Sequence, residues 1–563
     1  MLGILLHAIA YGNGEFFMAL SVVSRFAQVL KSYGIDRAYG LPGEDHMPML
    51  EAFEAAGIKY LTVSNESSAV IMAATDSLVS GKPGVAIVSM ATGVSNAVNG
   101  VLHAYMEGAP VLLLSGRWTA ARESLVVRQG FDPEQLVKPC TKWTVTIRTN
   151  QDPAVLLTKA IDIATSGRPG PVYIELPDEL AVVDVASCDD SVINTLKERL
   201  NHYTEVPVNV VLNEQESAAI ADKLALAKRP VVVLGGRYHA VNRVTLEKFA
   251  TTFNAPIFTS PGQKGVVTED FDWFAGAFLN GNPELELLKD ADFVLAINPE
   301  GFDILNRTWP HMEETIVIST LPLNEWVIPF KNRKMASPEA VLLDLLKRGK
   351  GSKSEWKTSD IKKYQSEMRS KLLGTPGSRM SVVEAVDAAL RGSPKNTRVT
   401  ADAGFSKPLI TMLSKSDGPR HFLASNSLST MGYGIPASVG AAAACDNPIL
   451  GFMGDGSLLM RATELVVTRY LKNSPVFVVI MDKALSQIEI KQERRNLDEV
   501  GIELPELSCQ KIGESMNIKG IDVHDVTSLE NAVRDAFKNN ECTIIGAHVD
   551  PADSRRLFEI MRG

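Results

Sequence analysis

Two aspartates, Asp455 in GDGS and Asp482 in MDKA, lie 27 positions apart (455 to 482), each just after an apolar run, PILGFM before the first and VFVVIM before the second. Such runs read as buried strands, GDGS as a tight turn and the intervening ATELVVTRYLK as a helix. Both carboxylates then stand at strand carboxyl ends, where an open α/β sheet gathers its ligands, and their interval is the length of one strand-to-strand crossover. A helix starting just after Gly456 and Ser457 presents free backbone N–H groups to a phosphate. Hard oxygen ligands beside a phosphate suit magnesium, which bridges one or two carboxylates to phosphate oxygens. Blander readings stay open at this level: GDG occurs in ordinary turns, and Asp482 alone serves as well as a strand-end cap. A dinucleotide fingerprint is weaker, because GDGSLL lacks the third glycine.

Positioning such groups takes alternating strands and helices, and the chain supplies them. SVVSRFAQVLKSYG, MPMLEAFEAAG and SAVIMAATDSLVSG carry helical periodicity, whereas RAYGL, KYLTV, GVAIVS and APVLLLSG read as short strands. That alternation implies parallel sheet. The first unit closes with GRPGPVYIELPDEL. A second runs from ESAAIADKLALAKR through PVVVLGG, APIFTS and ADFVLAIN, and a third from SVVEAVDAALRG to CTIIGAHV. The expectation is an α/β protein of three domains, residues 18–185, 205–348 and 376–553, each a mostly parallel sheet flanked by helices. The first and third units share a rhythm without a residue-level repeat. KRGKGSKSEWKTSDIKKYQSEMRSK, charged and poor in large apolar residues, reads as a surface linker with some helix.

At 563 residues the chain is too long for one core. A formal charge of −9 offers no general attraction to nucleic acid or anionic lipid. The cysteines at 140, 188, 445, 509 and 542 form no CxxC pair, against a zinc ribbon or disulfide framework and in favour of a reducing cytoplasm. MLGILLHAIAYGNGEFF lacks a basic start and is too short to span a bilayer, so it reads as an extra arm of 17 residues.

The aspartates with their helix and strand resemble the thiamine diphosphate motif of the superfamily of acetolactate synthase, benzaldehyde lyase and pyruvate decarboxylase. The resemblance runs from Met18 to about Val549 and implies a pyrimidine-binding, a central and a diphosphate-binding domain in that order. It implies a Mg2+ ion on Asp455, Asp482 and the carbonyl of Ala484, with diphosphate near Gly454, Gly456, Ser457 and Ser406. Met481-Asp482 stands where an NN pair is usual, and the second carboxylate makes a cation more necessary. SLSTMGYGIPASVGAA resembles GLGAMGFGLPAAIGAA of acetolactate synthases, which implies that Met431 props the cofactor in a bent shape and that the Ser429 carbonyl accepts from its amine. In isolation Glu66, in LTVSNESSAV, is a solvated helix-start acid. By resemblance it is the carboxyl that bonds the aminopyrimidine and promotes the imino form, although Asn65 replaces the usual histidine. ATGVSN resembles a GPGATN loop, and RQGFDPEQLVKPCTKW a QGxDQ…PxTKW segment, which puts Gln129 at an active-site glutamine.

For the reaction the residues say less. No HH pair of the pyruvate decarboxylase kind occurs. Glu44, Asp45 and His46 in GLPGEDHMPML either form a turn and helix cap or face the substrate. Gln487 falls at a specificity position, and Lys491 stands where many acetolactate synthases have tryptophan. Lys491 is either an exposed helix lysine or, with Arg128, a carboxylate binder. The resemblance implies a carboligase or lyase (transferase or lyase chemistry) acting on 2-oxo acids and aldehydes through an ylid and an enamine, as a homodimer or homotetramer. Alternatives are a non-oxidative 2-oxo acid decarboxylase and a non-catalytic subunit that binds the cofactor.

Overall fold

Eighteen of the apolar stretches form three six-stranded sheets in a computed structural model. It describes residues 20–119, 125, 129–148, 152–181, 184–185, 210–236, 241–279, 281–300, 313–321, 332–349, 351–375 and 377–562. The 17-residue arm and Arg128 lie outside the described residues. The first sheet holds β1 (Arg37–Gly40), β2 (Lys59–Thr62), β3 (Gly84–Val88), β4 (Val111–Arg117), β5 (Trp143–Thr146) and β6 (Val172–Pro177), in the order β2-β1-β3-β4-β6-β5. The second holds β7 (Pro230–Leu234), β8 (Ile257–Thr259), β9 (Phe274–Ala277), β10 (Phe293–Ile297), β11 (Thr315–Ser319) and β12 (Asn332–Met335), in the order β9-β8-β7-β10-β11-β12. The third holds β13 (Arg398–Ala401), β14 (Phe422–Ala424), β15 (Ile449–Gly454), β16 (Val476–Met481), β17 (Lys519–Val523) and β18 (Thr543–His548), in the order β14-β13-β15-β16-β18-β17.

Every neighbouring pair within these sheets is parallel, because helical crossovers return each strand to the same end. Helices on the faces leave central strands such as β16 buried along their whole length, which is why they read as unbroken apolar runs. The first and third sheets have the same strand order, the physical content of their shared sequence rhythm. The second has the order of a dinucleotide-type fold.

The chain forms two compact units, Met1–Glu205 and Val206–Gly563, the second containing both later sheets. Within it, the stretch expected to be a surface linker with some helix contributes a 16-residue helix, Thr358–Leu373, that packs into both cores. Its charged face hid a sparse apolar stripe: Ile361 joins the core of the second sheet, while Met368 and Leu372 join that of the third. A polar clasp supports the same junction. The Lys264 ammonium, 2% exposed, donates to Glu269 Oε1 and to the Ser414 carbonyl, each at 3.0 Å, and Glu269 Oε2 accepts from the Ser416 N–H at 3.0 Å. Gly265, at φ +85°, lets the chains meet there: a Cβ on it would lie 1.9 Å from the Gly418 carbonyl oxygen.

Two other expectations change. ATELVVTRYLK is not an α-helix: Asp455–Arg461 is α-helical and Ala462–Tyr470 is wound as 3-10 helix. The third domain also continues past 553 into a helix, Ser554–Arg562, whose Leu557 and Met561 enter the core. Replacing Glu269 with alanine leaves the buried Lys264 without its counter-ion and should cost about 3 kcal/mol of stability, measured by urea denaturation.

Candidate functional site

The parallel pairing of β15 with β16 sets Gly454 beside Ile480, so the residues that follow, Asp455 and Asp482, emerge side by side at the carboxyl end of the sheet. Asp455 is 2% exposed; its Oδ1 accepts from the Gly456 N–H and its Oδ2 from the Lys483 N–H, both at 2.8 Å. Asp482 Oδ2 accepts from the Ser486 hydroxyl at 2.5 Å, and its Oδ1 from the Ala484 N–H at 3.4 Å. Burial raises the Asp455 carboxyl, and burial, reinforced by the charge of Asp455, pushes Asp482 up to about 6. Two desolvated carboxylates that form no ion pair among the described residues make a hard-oxygen donor set of the kind a divalent ion requires. Among the described residues no cluster of three acidic, histidine or cysteine side chains could hold a metal, so such an ion would need oxygens from a backbone carbonyl and a ligand as well.

The pair opens into a cavity of about 600 Å³ within the second unit. Gly454, Gly456, Ser457 and Ala484 line it beside the two aspartates, as do Ser406, Ser429 and Met431. Gln487 and Lys491, one turn apart on the helix Ser486–Arg494, line it too. The residues singled out in the third domain therefore share one crevice. Asp402 at the end of β13 had not been singled out. Its Oδ2 accepts from the Gly434 N–H and its Oδ1 from the Ala403 N–H, both at 2.7 Å, with the Ser457 hydroxyl beside it. This buried carboxyl ties the ADAG turn, the turn carrying Met431 and the helix after β15 into one rigid floor; burial pushes it up to about 6. The signal was present as the acid of ADAG, but which loops it joins depends on strand order.

In the first unit Glu66 opens the helix Glu66–Ser80 after β2, capped by the Asn65 side chain on the Ser67 N–H at 3.0 Å. It is 4% exposed and accepts from Asn96 Nδ2 at 3.1 Å. Asn96 lies one turn beyond Thr92 on the helix Thr92–Glu107, and the Thr92 hydroxyl accepts from Gln129 Nε2 at 3.3 Å. One helix face thus holds both Glu66 and Gln129. Gly100 makes the crossing possible, since a Cβ there would lie 2.5 Å from the Ser67 carbonyl oxygen. Asp45 and His46 direct polar atoms to backbone: Asp45 Oδ2 accepts from the Met90 and Gly116 N–H groups at 2.8 and 3.2 Å, and His46 Nε2 from Gly43 N–H at 3.1 Å. Glu44 is exposed. Tyr60 was also missed; its buried hydroxyl makes no hydrogen bond among the described residues, and its ionisation is raised by burial and by the charges of Glu66 and Asp45.

Backbone strain marks the same places. Among the described residues, five other than glycine and asparagine have positive φ: Ala91, Gln129, Arg420, Ser429 and Lys483. All but Arg420 either are site residues or adjoin them. Each such conformation costs of order 1 kcal/mol, which packing must offset.

Comparison with known proteins finds relatives over most of the chain. Three families match in chain order: the thiamine pyrophosphate enzyme N-terminal TPP binding domain over residues 20–137, the central domain over 217–321 and the C-terminal TPP binding domain over 402–547. A probable 2-ketoarginine decarboxylase of Pseudomonas aeruginosa is 26% identical over 542 residues, covering 93% of each chain. An acetolactate synthase of Bacillus subtilis is 25% identical over 548 residues, covering 94% of this chain and 93% of its own. The acetolactate synthase large subunit of Lactococcus lactis is 23% identical over 524 residues, covering 90% and 89%.

An unfolded Asp482 loses its proton near its ordinary 3.8, whereas the folded one keeps it to about 6. Over that window the native state binds more protons, so stability falls as pH rises. In metal-free protein Asp482→Asn should therefore be more stable than the parent by of order 2 kcal/mol at pH 7, with the gain shrinking toward zero below pH 4; urea denaturation at the two pH values reads both.

Proposed function

This chain belongs to the thiamine pyrophosphate enzymes, and from that premise we propose that it is a magnesium-dependent carboligase or lyase acting on 2-oxo acids. The carrying observation is the pair of buried carboxylates at adjacent strand ends, opening into the cavity that Ser406, Ser429 and Met431 also line. Bound thiamine diphosphate supplies a carbanion equivalent that adds to a carbonyl and accepts the electron pair left when the neighbouring bond breaks. The residues of this chain bind, orient and move protons around it. Asp455, Asp482 and the Ala484 carbonyl would hold the magnesium ion, and the floor tied by Asp402 would receive the diphosphate. Glu66, kept buried and directed by Asn96, shares a proton with the aminopyrimidine ring. Gln129 orients the substrate carbonyl, and Glu44 is the exposed member of its triplet available to substrate.

The assembly we propose is a homodimer at least, with the homotetramer as its doubled form. Exposed Leu459 and Met460, on the helix directly after Asp455, support a subunit contact there. No helix among the described residues is long and apolar enough to cross a membrane. Free Cys140, Cys445, Cys509 and Cys542 support a cytoplasmic setting. A second reading, non-oxidative decarboxylation that releases an aldehyde, is supported by the similarity to the 2-ketoarginine decarboxylase.

Incubation with pyruvate and an aromatic aldehyde, followed by mass spectrometry, separates the two: a coupled hydroxyketone is expected, and free acetaldehyde alone would favour the second. Glu66→Gln should lower turnover by about 10²–10⁴-fold while calorimetry still detects cofactor binding. Unchanged turnover would refute the assignment of Glu66.

A further inference from the structure

The C-terminal helix Ser554–Arg562 lies outside the matched C-terminal domain, 402–547, yet forms part of the cavity wall. It packs along the helix Ser486–Arg494. Arg555 pairs with Glu493 at 2.5 Å and reaches Glu489 at 4.0 Å; Arg494 pairs with Glu559 at 3.5 Å and covers the Phe558 ring, 5.2 Å from its centroid. These contacts engage all three acids of the two helices, Glu489, Glu493 and Glu559, and none of the three lines the cavity. Three cations do line it: Lys407, whose ammonium donates to the Ser425 carbonyl at 3.0 Å, and, on these two helices, Lys491 and Arg562. Lys491 is exposed and makes no hydrogen bond or ion pair among the described residues. Among the described residues the acids on the cavity wall are Asp455 and Asp482, the pair suited to a metal.

Along the crevice the carboxylates thus stand at the strand ends, while each of these two helices contributes a cation and no acid to the wall. Lys491 is five residues into its helix, a rise of roughly 7.5 Å from Ser486, so a ligand reacting near the strand ends needs a chain to reach it. The apolar wall between them, with Leu485, Ile488 and Met561, suits such a chain. A cation set against the carboxylate that is expelled would stabilise the ground state and slow its loss. The cations are therefore better matched to a second, distal anionic group that survives the reaction.

We propose that Lys491 and Arg562 form a specificity site for 2-oxo acids whose side chain ends in a carboxylate, and that they disfavour cationic tails. This rests on the 2-oxo acid reading above.

The test uses the full-length enzyme, saturated with thiamine diphosphate and magnesium, and three acids with the same carbon backbone: 2-oxoglutarate, 2-oxopentanoate and 5-guanidino-2-oxopentanoate. The value of kcat/KM should be highest for 2-oxoglutarate and lowest for the guanidino acid. Lys491→Glu and Arg562→Gln should each shift the ratio of anionic to cationic substrate by about tenfold or more toward the cationic one. Independently of turnover, calorimetry should find glutarate binding more tightly than pentanoate, with that advantage reduced in both variants. A parent enzyme that prefers the neutral or guanidino acid, variants whose ratios stay within about twofold of the parent, or glutarate binding no tighter than pentanoate would each overturn the proposal and leave the 2-oxo acid reading standing. Failure to consume any 2-oxo acid, with cofactor bound, would overturn both.

Discussion

Two like charges held together out of water are the constraint around which the third domain is arranged. Adjacent parallel strands β15 and β16 end within one residue of each other, so an acid immediately after each one produces a carboxylate pair that the sheet cannot separate. Burial favours the protonated form of both carboxyls, and backbone donors offset only part of the desolvation. A divalent cation neutralises the pair with hard-oxygen chemistry. The surrounding strain follows from the same demand. Lys483 adopts a left-handed conformation where its N–H meets Asp455, and Ser429 does so in the turn that leads to Met431.

The first unit handles its acid differently. Glu66 sits in the first turn of a helix, where the macrodipole favours a carboxylate, and takes a hydrogen bond from Asn96. Two helices that cross closely at Gly100 hold it with Gln129 on a common face. The first and third sheets share a strand order, yet one presents a single capped acid and the other a strand-end pair. The fold is a scaffold used twice, and the chemistry resides in the residues at its strand ends.

The central strands and their helices were legible because burial on both faces leaves unbroken apolar runs, as in VFVVIM and ILGFM. Asp455 and Asp482 were legible for the related reason that each stands at the end of such a run. The helix Thr358–Leu373 was legible only as some helix in a surface linker, because three apolar contacts in a strongly charged segment are too sparse to outweigh its composition. Not legible was the 3-10 winding of Ala462–Tyr470, which has residues of ordinary helix-forming kinds and is decided by packing.

Order of strands and helices, the positions of the acids and the family motifs all follow from local patterns, since periodicity and turn chemistry act over a few residues. Which groups meet does not. Asp402 joins two turns and a helix, Asn96 finds Glu66 thirty positions away, and the C-terminal helix pairs its glutamate with Arg494 and places its last arginine on the cavity wall. Those outcomes depend on crossover handedness, strand order and the packing of distant helices, and no short stretch of residues specifies them.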